Sequence, residues 1–78
     1  MYSSITQVVP LKNYLLKLTF QNKEEKVFDM KPYLDRGIFS ELKDKSLFES
    51  VKISFDSIEW TNEADLDPEF LYEYSKNI

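Results

Sequence analysis

The alternation of apolar and polar positions is clearest between residues 14 and 20, where Tyr14, Leu16, Leu18 and Phe20 interleave with Leu15, Lys17 and Thr19. A period of two puts the first set on one face of a strand, and a face that apolar belongs in a core. Before it, the β-branched run Ile5-Thr6-Gln7-Val8-Val9 predicts another strand. Pro10 has no N–H to give a ladder, so that strand lies at a sheet edge or stops there, with Lys12-Asn13 as a tight connection. Gln21-Asn22-Lys23-Glu24 reads as a hairpin loop, with Asn22 able to take a left-handed conformation, and leads into a third strand, Glu25-Lys26-Val27-Phe28-Asp29.

The pattern then changes. Met30-Lys31-Pro32-Tyr33-Leu34 suits a helical turn with Asp29 as N-cap, ended near Gly37, the one glycine of the chain, where a cap or turn needs positive φ. Ile38, Phe39, Leu42, Leu47 and Phe48 have the spacing of a one-sided helix or two short turns covering a sheet. Val51, Ile53 and Phe55 alternate with Lys52, Ser54 and Asp56, and Ser57 turns the chain, through a two-residue connection, into Ile58-Glu59-Trp60. Residues 61–66 read as a polar loop. Asp67-Pro68-Glu69 supplies a capping acid, a first-position proline and a second acid, predicting a helix to about Lys76. Leu66, Phe70, Leu71, Tyr74 and Ile78 fall within an arc of roughly 140° on it, which leaves Tyr72 on the other side.

This order predicts an α+β fold: a three-strand antiparallel meander plus a second hairpin, packed with short helical segments and a C-terminal helix. With 78 residues, one domain over residues 1–78 and one core are expected, and 42% hydrophobic and 15% aromatic residues supply that core. The absence of cysteine favours a reducing, cytoplasmic setting, and neither a secretory leader nor a membrane-spanning run is visible.

Charge and residue type then narrow the chemistry. A net charge of −4 argues against direct nucleic-acid binding. From Asp56 to Ile78 there are seven acids against one base, Lys76, so the C-terminal third is strongly acidic. Without His or Cys there is no Ser-His-Asp or Cys-His arrangement and no usual zinc set, and one glycine cannot make a phosphate loop, so no enzyme activity and no cofactor is expected. The D-x-D-x-E run of Asp65, Asp67 and Glu69, with Glu63 before it, reads as helix capping and solvation rather than a metal site, because the EF-hand glycine is missing. Glu59 and Asp65 as an acid/base pair are what fourteen acids produce by chance. Trp60 reads as a core anchor, with stacking on a ligand as the alternative; Tyr72 is either a contact for a partner or rests on an adjoining loop. Lys23, Lys26 and Lys31 against Glu24, Glu25 and Asp29 read as an ordinary solvated face.

Taken in order, Tyr14-x-Leu16-x-Leu18-x-Phe20, Val27-Phe28-Asp29-Met30, Gly37-Ile38-Phe39-x-x-Leu42, Leu47-Phe48-x-x-Val51 and Ile58-x-Trp60-x-Asn62-x-Ala64-Asp65-Leu66-Asp67-Pro68-Glu69-x-Leu71-Tyr72 resemble the bacterial family known as domain of unknown function 2442, over about residues 4 to 72. That family commonly reads Trp-Pro-Asn-Gly-Ala-Asp where this chain has Thr61 and Glu63. The resemblance implies a small α+β domain found alone or beside a helix-turn-helix, with no established reaction. It also implies the partner half of a two-gene bacterial module, with an antitoxin-like reading by analogy. The expectation is a non-enzymatic interaction module binding a basic protein partner encoded next door through Trp60, Asn62, Glu63, Asp65, Asp67, Glu69 and Tyr72. A DNA-binding or transcription-linked accessory domain and a carboxylate-dependent metal-binding protein are the alternatives. Open strand edges suggest a homo-oligomer through a sheet edge.

Overall fold

A computed structural model describes residues 4–78; residues 1–3, the start of the expected 1–78 domain, lie outside the described residues. The three strands predicted in the N-terminal half are present. Strands β1 (Ile5–Leu11), β2 (Leu15–Phe20) and β3 (Glu25–Asp29) form an antiparallel meander. Leu16 stands opposite Phe28 and Leu18 opposite Lys26, so Leu16, Leu18, Phe20 and Phe28 share the buried face that the period of two implied. Pro10 does not stop β1, which runs on to Leu11. It lies on an edge strand paired only with β2, where a missing donor costs no ladder bond. Lys12–Tyr14 make a single tight turn with Asn13 and Tyr14 both left-handed, so β2 starts at Leu15 rather than Tyr14.

The loop into β3 differs from expectation in one residue. Lys23, not Asn22, is left-handed (φ +73°), and Asn22 uses its side chain instead, its Oδ1 accepting from Glu24 N at 3.0 Å. Past β3, the Asp29 carboxylate accepts from Lys31 N at 2.9 Å and starts the 3-10 turn Lys31–Tyr33. Gly37 has the expected positive φ of +49°, but it opens the next 3-10 segment, Gly37–Lys43, rather than closing the previous one. Three residues per turn align Phe39 with Leu42 and turn Ile38 out to solvent, against the expectation that it is core. Asp44 caps helix α1 (Lys45–Phe48) by accepting from Ser46 N at 2.9 Å.

The C-terminal half contains most of the corrections. Strands β4 (Lys52–Ser54), β5 (Ser57–Glu59) and β6 (Asp65–Leu66) form a second antiparallel sheet. The two-residue connection between β4 and β5 is Phe55-Asp56, both left-handed (φ +48° and +69°), and not Ser57, which is paired with Ser54 and buried. Ile53 and Phe55, two apolar members of the run that alternates from Val51, are exposed. Residues 61–66, expected as a loop, contain β6, because a tight turn at 60–64 folds Asp65 and Leu66 back onto Glu59 and Ile58. In that turn Glu63 is left-handed (φ +72°) at the position where the resemblance places glycine, so the turn persists without one.

Helix α2 (Pro68–Tyr74) begins as predicted, with Asp67 accepting from Glu69 N at 2.8 Å and Pro68 in the first turn. It ends at Tyr74, not near Lys76. Ser75 turns extended, and Lys76–Asn77 become β7, which pairs with β3 and makes the first sheet four-stranded in the order β1-β2-β3-β7. The chain therefore leaves the helix before Tyr74 and Ile78 can reach the core, and both are exposed; Leu71 is the fully buried helix residue. The predicted α+β plan holds with two short strands added. One hydrophobic cluster, with Trp60, Phe20, Phe28 and Leu71 at its centre, lies between the inner face of the first sheet, the second sheet and the helices.

Candidate functional site

The acidic segment is built on β5, β6 and the start of α2. Antiparallel pairing of β5 with β6 sets Glu59 directly opposite Asp65. Like charges in that relation repel, and neither has an ion-pair partner among the described residues. Asp67 and Glu69 follow at the helix N-terminus, where the aligned peptide dipoles favour negative charge. These four carboxylates line an open cleft of about 510 Å³ whose other wall is the β4–β5 turn. Below them Ser57 is buried and donates its hydroxyl hydrogen to the Leu66 carbonyl.

The residue on the rim of this cleft is Phe55. It is 98% exposed, the largest exposure of any large hydrophobic residue described, and it holds a left-handed φ of +48° that a bulky L-residue adopts at a cost of roughly 1–2 kcal/mol. The alternation in the sequence places Phe55 in the strand as its third apolar member, whereas the strand ends at Ser54. The signal that locates it lies in the partner strand: with Ser54 opposite Ser57, the two residues left over to make the turn are Phe55 and Asp56.

Of the seven residues singled out from sequence, three line the cleft: Asp65, Asp67 and Glu69. Asn62 and Glu63 sit at the far end of the β5–β6 hairpin. Asn62 is structural there, its Oδ1 accepting from Ala64 N at 3.1 Å and its Nδ2 donating to Glu41 Oε1 at 2.9 Å. Trp60 is core, 1% exposed, with its Nε1 donating to the Phe48 carbonyl at 2.9 Å and its ring beside Phe39 and Phe48. It presents no face to a partner. Tyr72 rests on the β2–β3 loop, the second of its two sequence readings: its hydroxyl donates to Glu24 Oε1, and its ring packs edge-on to Phe20 with centroids 5.0 Å apart.

Lys26 completes that second cluster. It is 8% exposed, not part of a solvated face, because it shares the inward phase of Phe28 on β3. Its ammonium lies 3.8 Å from the centre of the Tyr72 ring and donates to the Tyr72 carbonyl at 2.8 Å, in the last turn of α2 where a cation is favoured. The hydrogen bond from Tyr72 holds the Glu24 carboxyl below its usual range, with Asn22 and the Lys26 charge acting in the same direction. The same bond, with burial and the Glu24 charge, pushes the Tyr72 hydroxyl up.

Among the described residues no three acids converge closely enough to hold a metal ion. No described helix is long and apolar enough to cross a membrane. Two small antiparallel sheets sharing one core with short helices define a small α+β protein. The chain belongs to the family described as protein of unknown function (DUF2442), whose family model matches residues 5–77. Neither a curated protein nor a solved structure matches it.

Proposed function

We propose that this chain is a protein-interaction module whose cleft receives a basic segment of a protein partner, with Phe55 inserting into an apolar recess of that partner. The observation that carries this reading is Phe55 itself: a fully exposed aromatic side chain held on a strained turn at the rim of a cleft lined by Glu59, Asp65, Asp67 and Glu69. Strain of this kind persists where a function retains it, and an aromatic anchor beside unpaired charges of one sign is the usual make-up of a binding hot spot with its steering field. The antitoxin-like subunit of a two-gene module is the specific form of this reading, with the partner encoded beside it in a bacterial cytoplasm. The lack of cysteine is consistent with that compartment.

The test is calorimetric titration of the purified chain with the product of the adjacent gene, at low and at raised salt. Binding that weakens with salt is expected, with Phe55→Ser raising the dissociation constant at least about tenfold, or about 1.4 kcal/mol. Glu59→Lys combined with Asp65→Lys should weaken it further. No association at low salt, or association indifferent to both changes, ends the proposal.

A further inference from the structure

We infer that Phe55 and the acidic cleft also dock onto a second copy of this chain, with Phe55 entering a recess beside the β1–β2 turn, so that copies join head to tail. This rests on the reading of Phe55 as an anchor and gives the same site a second occupant. The recess, of about 150 Å³, lies where the end of β1 and the Lys12–Tyr14 turn meet α1. Its apolar lining is Pro10, Leu11, Tyr14 and Phe48, and the Tyr14 and Phe48 rings stand edge-on with centroids 5.2 Å apart. An apolar space of that volume takes up one benzene ring. Phe55, 98% exposed in its own chain, has such a ring to offer.

Charge selects the occupant. Lys12 and Lys45 line the recess and take no part in the ion pairs found among the described residues, and Glu49 is the one acid lining it. Beside them the Lys31 ammonium, itself paired with Asp29, donates to the Asn13 carbonyl at 3.0 Å. The cleft is the converse: Glu59, Asp65, Asp67 and Glu69 line it with no base among them. An aromatic knob beside acids and an aromatic socket beside amines match in shape and in sign. The two cannot meet within one molecule. The Ile5 N–H donates to the Asp56 carbonyl at 2.9 Å, which puts the knob at the start of β1, whereas the socket adjoins its end, about 20 Å away along the strand. Such a contact is heterologous and leaves a knob and a socket open at the two ends, so copies add in a row instead of closing as a two-fold pair. One ring and a few ion pairs fall below the size of a stable interface, so the row is weak and forms only at high concentration. While it lasts it covers the cleft, and self-association and binding of the protein partner exclude each other.

Sedimentation equilibrium of the whole chain from about 10 µM to about 1 mM, at low and at raised salt, tests this. Association that grows past the dimer and weakens with salt is expected. Phe55→Ser, which removes the knob, and the double variant Lys12→Glu/Lys45→Glu, which inverts the charge of the socket, should each raise the dissociation constant at least about tenfold. Mixed together, the first variant keeps its socket and the second its knob, so the mixture should form one-to-one dimers and stop there. Thermal melting checks that each variant is folded; all three side chains are exposed, and Lys45→Glu alone carries the socket result if the double variant unfolds. A wild-type monomer at every concentration overturns the inference, as does association that either variant retains in full, or a mixture that does not recombine. The socket shares no residue with the cleft. Lys12→Glu/Lys45→Glu should therefore leave calorimetric binding of the adjacent gene's product intact, and the two proposals fail separately.

Discussion

The turns at residues 20–24 and 60–64 have one construction in two settings. In each, an aromatic residue of the core donates its N–H across the turn, Phe20 to the Glu24 carbonyl at 2.9 Å and Trp60 to the Ala64 carbonyl at 2.8 Å, and then accepts from the residue three places on, at 2.8 Å from Lys23 N and 2.9 Å from Glu63 N. In each, an asparagine side chain accepts from the residue two places on. The left-handed position is taken by Lys23 in one and Glu63 in the other. They differ in what holds them down. The first is clasped by Tyr72 and Lys26 across the tail of α2, whereas the second is tied by Asn62 to Glu41 and by Thr61 to Ser50, at 3.1 Å between hydroxyls. An asparagine and two backbone bonds are thus sufficient to form the turn, and the left-handed residue need not be glycine.

The largest test removes the aromatic anchor. Trp60→Ala and Phe20→Ala should each cost about 3–5 kcal/mol, close to the whole stability of an ordinary small domain, so both variants should lose their cooperative thermal transition. If only one does, the turns are not equivalent anchors. Next, Asn62→Ala should cost about 1–2 kcal/mol by urea titration and Asn22→Ala less, because the Asn62 amide reaches a separate element while that of Asn22 bonds Glu24 within its own turn. Equal losses would mean that the Glu41 bond adds nothing.

Smaller still, Lys23→Gly and Glu63→Gly should each stabilise by about 0.5 kcal/mol, since relief of a left-handed penalty of roughly 1–2 kcal/mol is offset by the greater freedom of glycine in the unfolded chain. A loss at either site would show that its side chain makes a stabilising contact. The last test separates the turns by pH. Glu24 is depressed, so its contribution is present above the ordinary glutamate range, near pH 4.3, and is lost as pH falls through that range. Tyr72 is raised, so its contribution is present below the ordinary tyrosine range, near pH 10, and is lost as pH rises. Tyr72→Phe should flatten both limbs of a urea-midpoint profile, and an unchanged profile would detach the clasp from stability.

These particulars also account for what the sequence revealed. Strand β2 and the Asp67-Pro68-Glu69 start of α2 were legible because their signals, a period of two and a cap, are local. Strand β7 was not, since Lys76 and Asn77 become a strand only because β3 leaves an edge beside them. Lys26 was read as solvated because its neighbours in sequence are charged, although its phase with Phe28 marked it as inward. The carboxylates of the cleft were visible as a charge run. Phe55 was not, because the same alternation that finds a core strand also fits a strand whose last apolar residue has become the turn.

Lys26 also gives this molecule a reporter of its own opening. Its ammonium is covered on one side by an aromatic ring and on the other by a carbonyl of α2, both belonging to a residue 46 positions away. An amine-reactive label should therefore modify Lys26 only in molecules whose helix has lifted, while lysines such as Lys12 and Lys52 are labelled in the closed state. The rate at which Lys26 is modified, set against theirs, would time the departure of the helix without any probe being added to the chain.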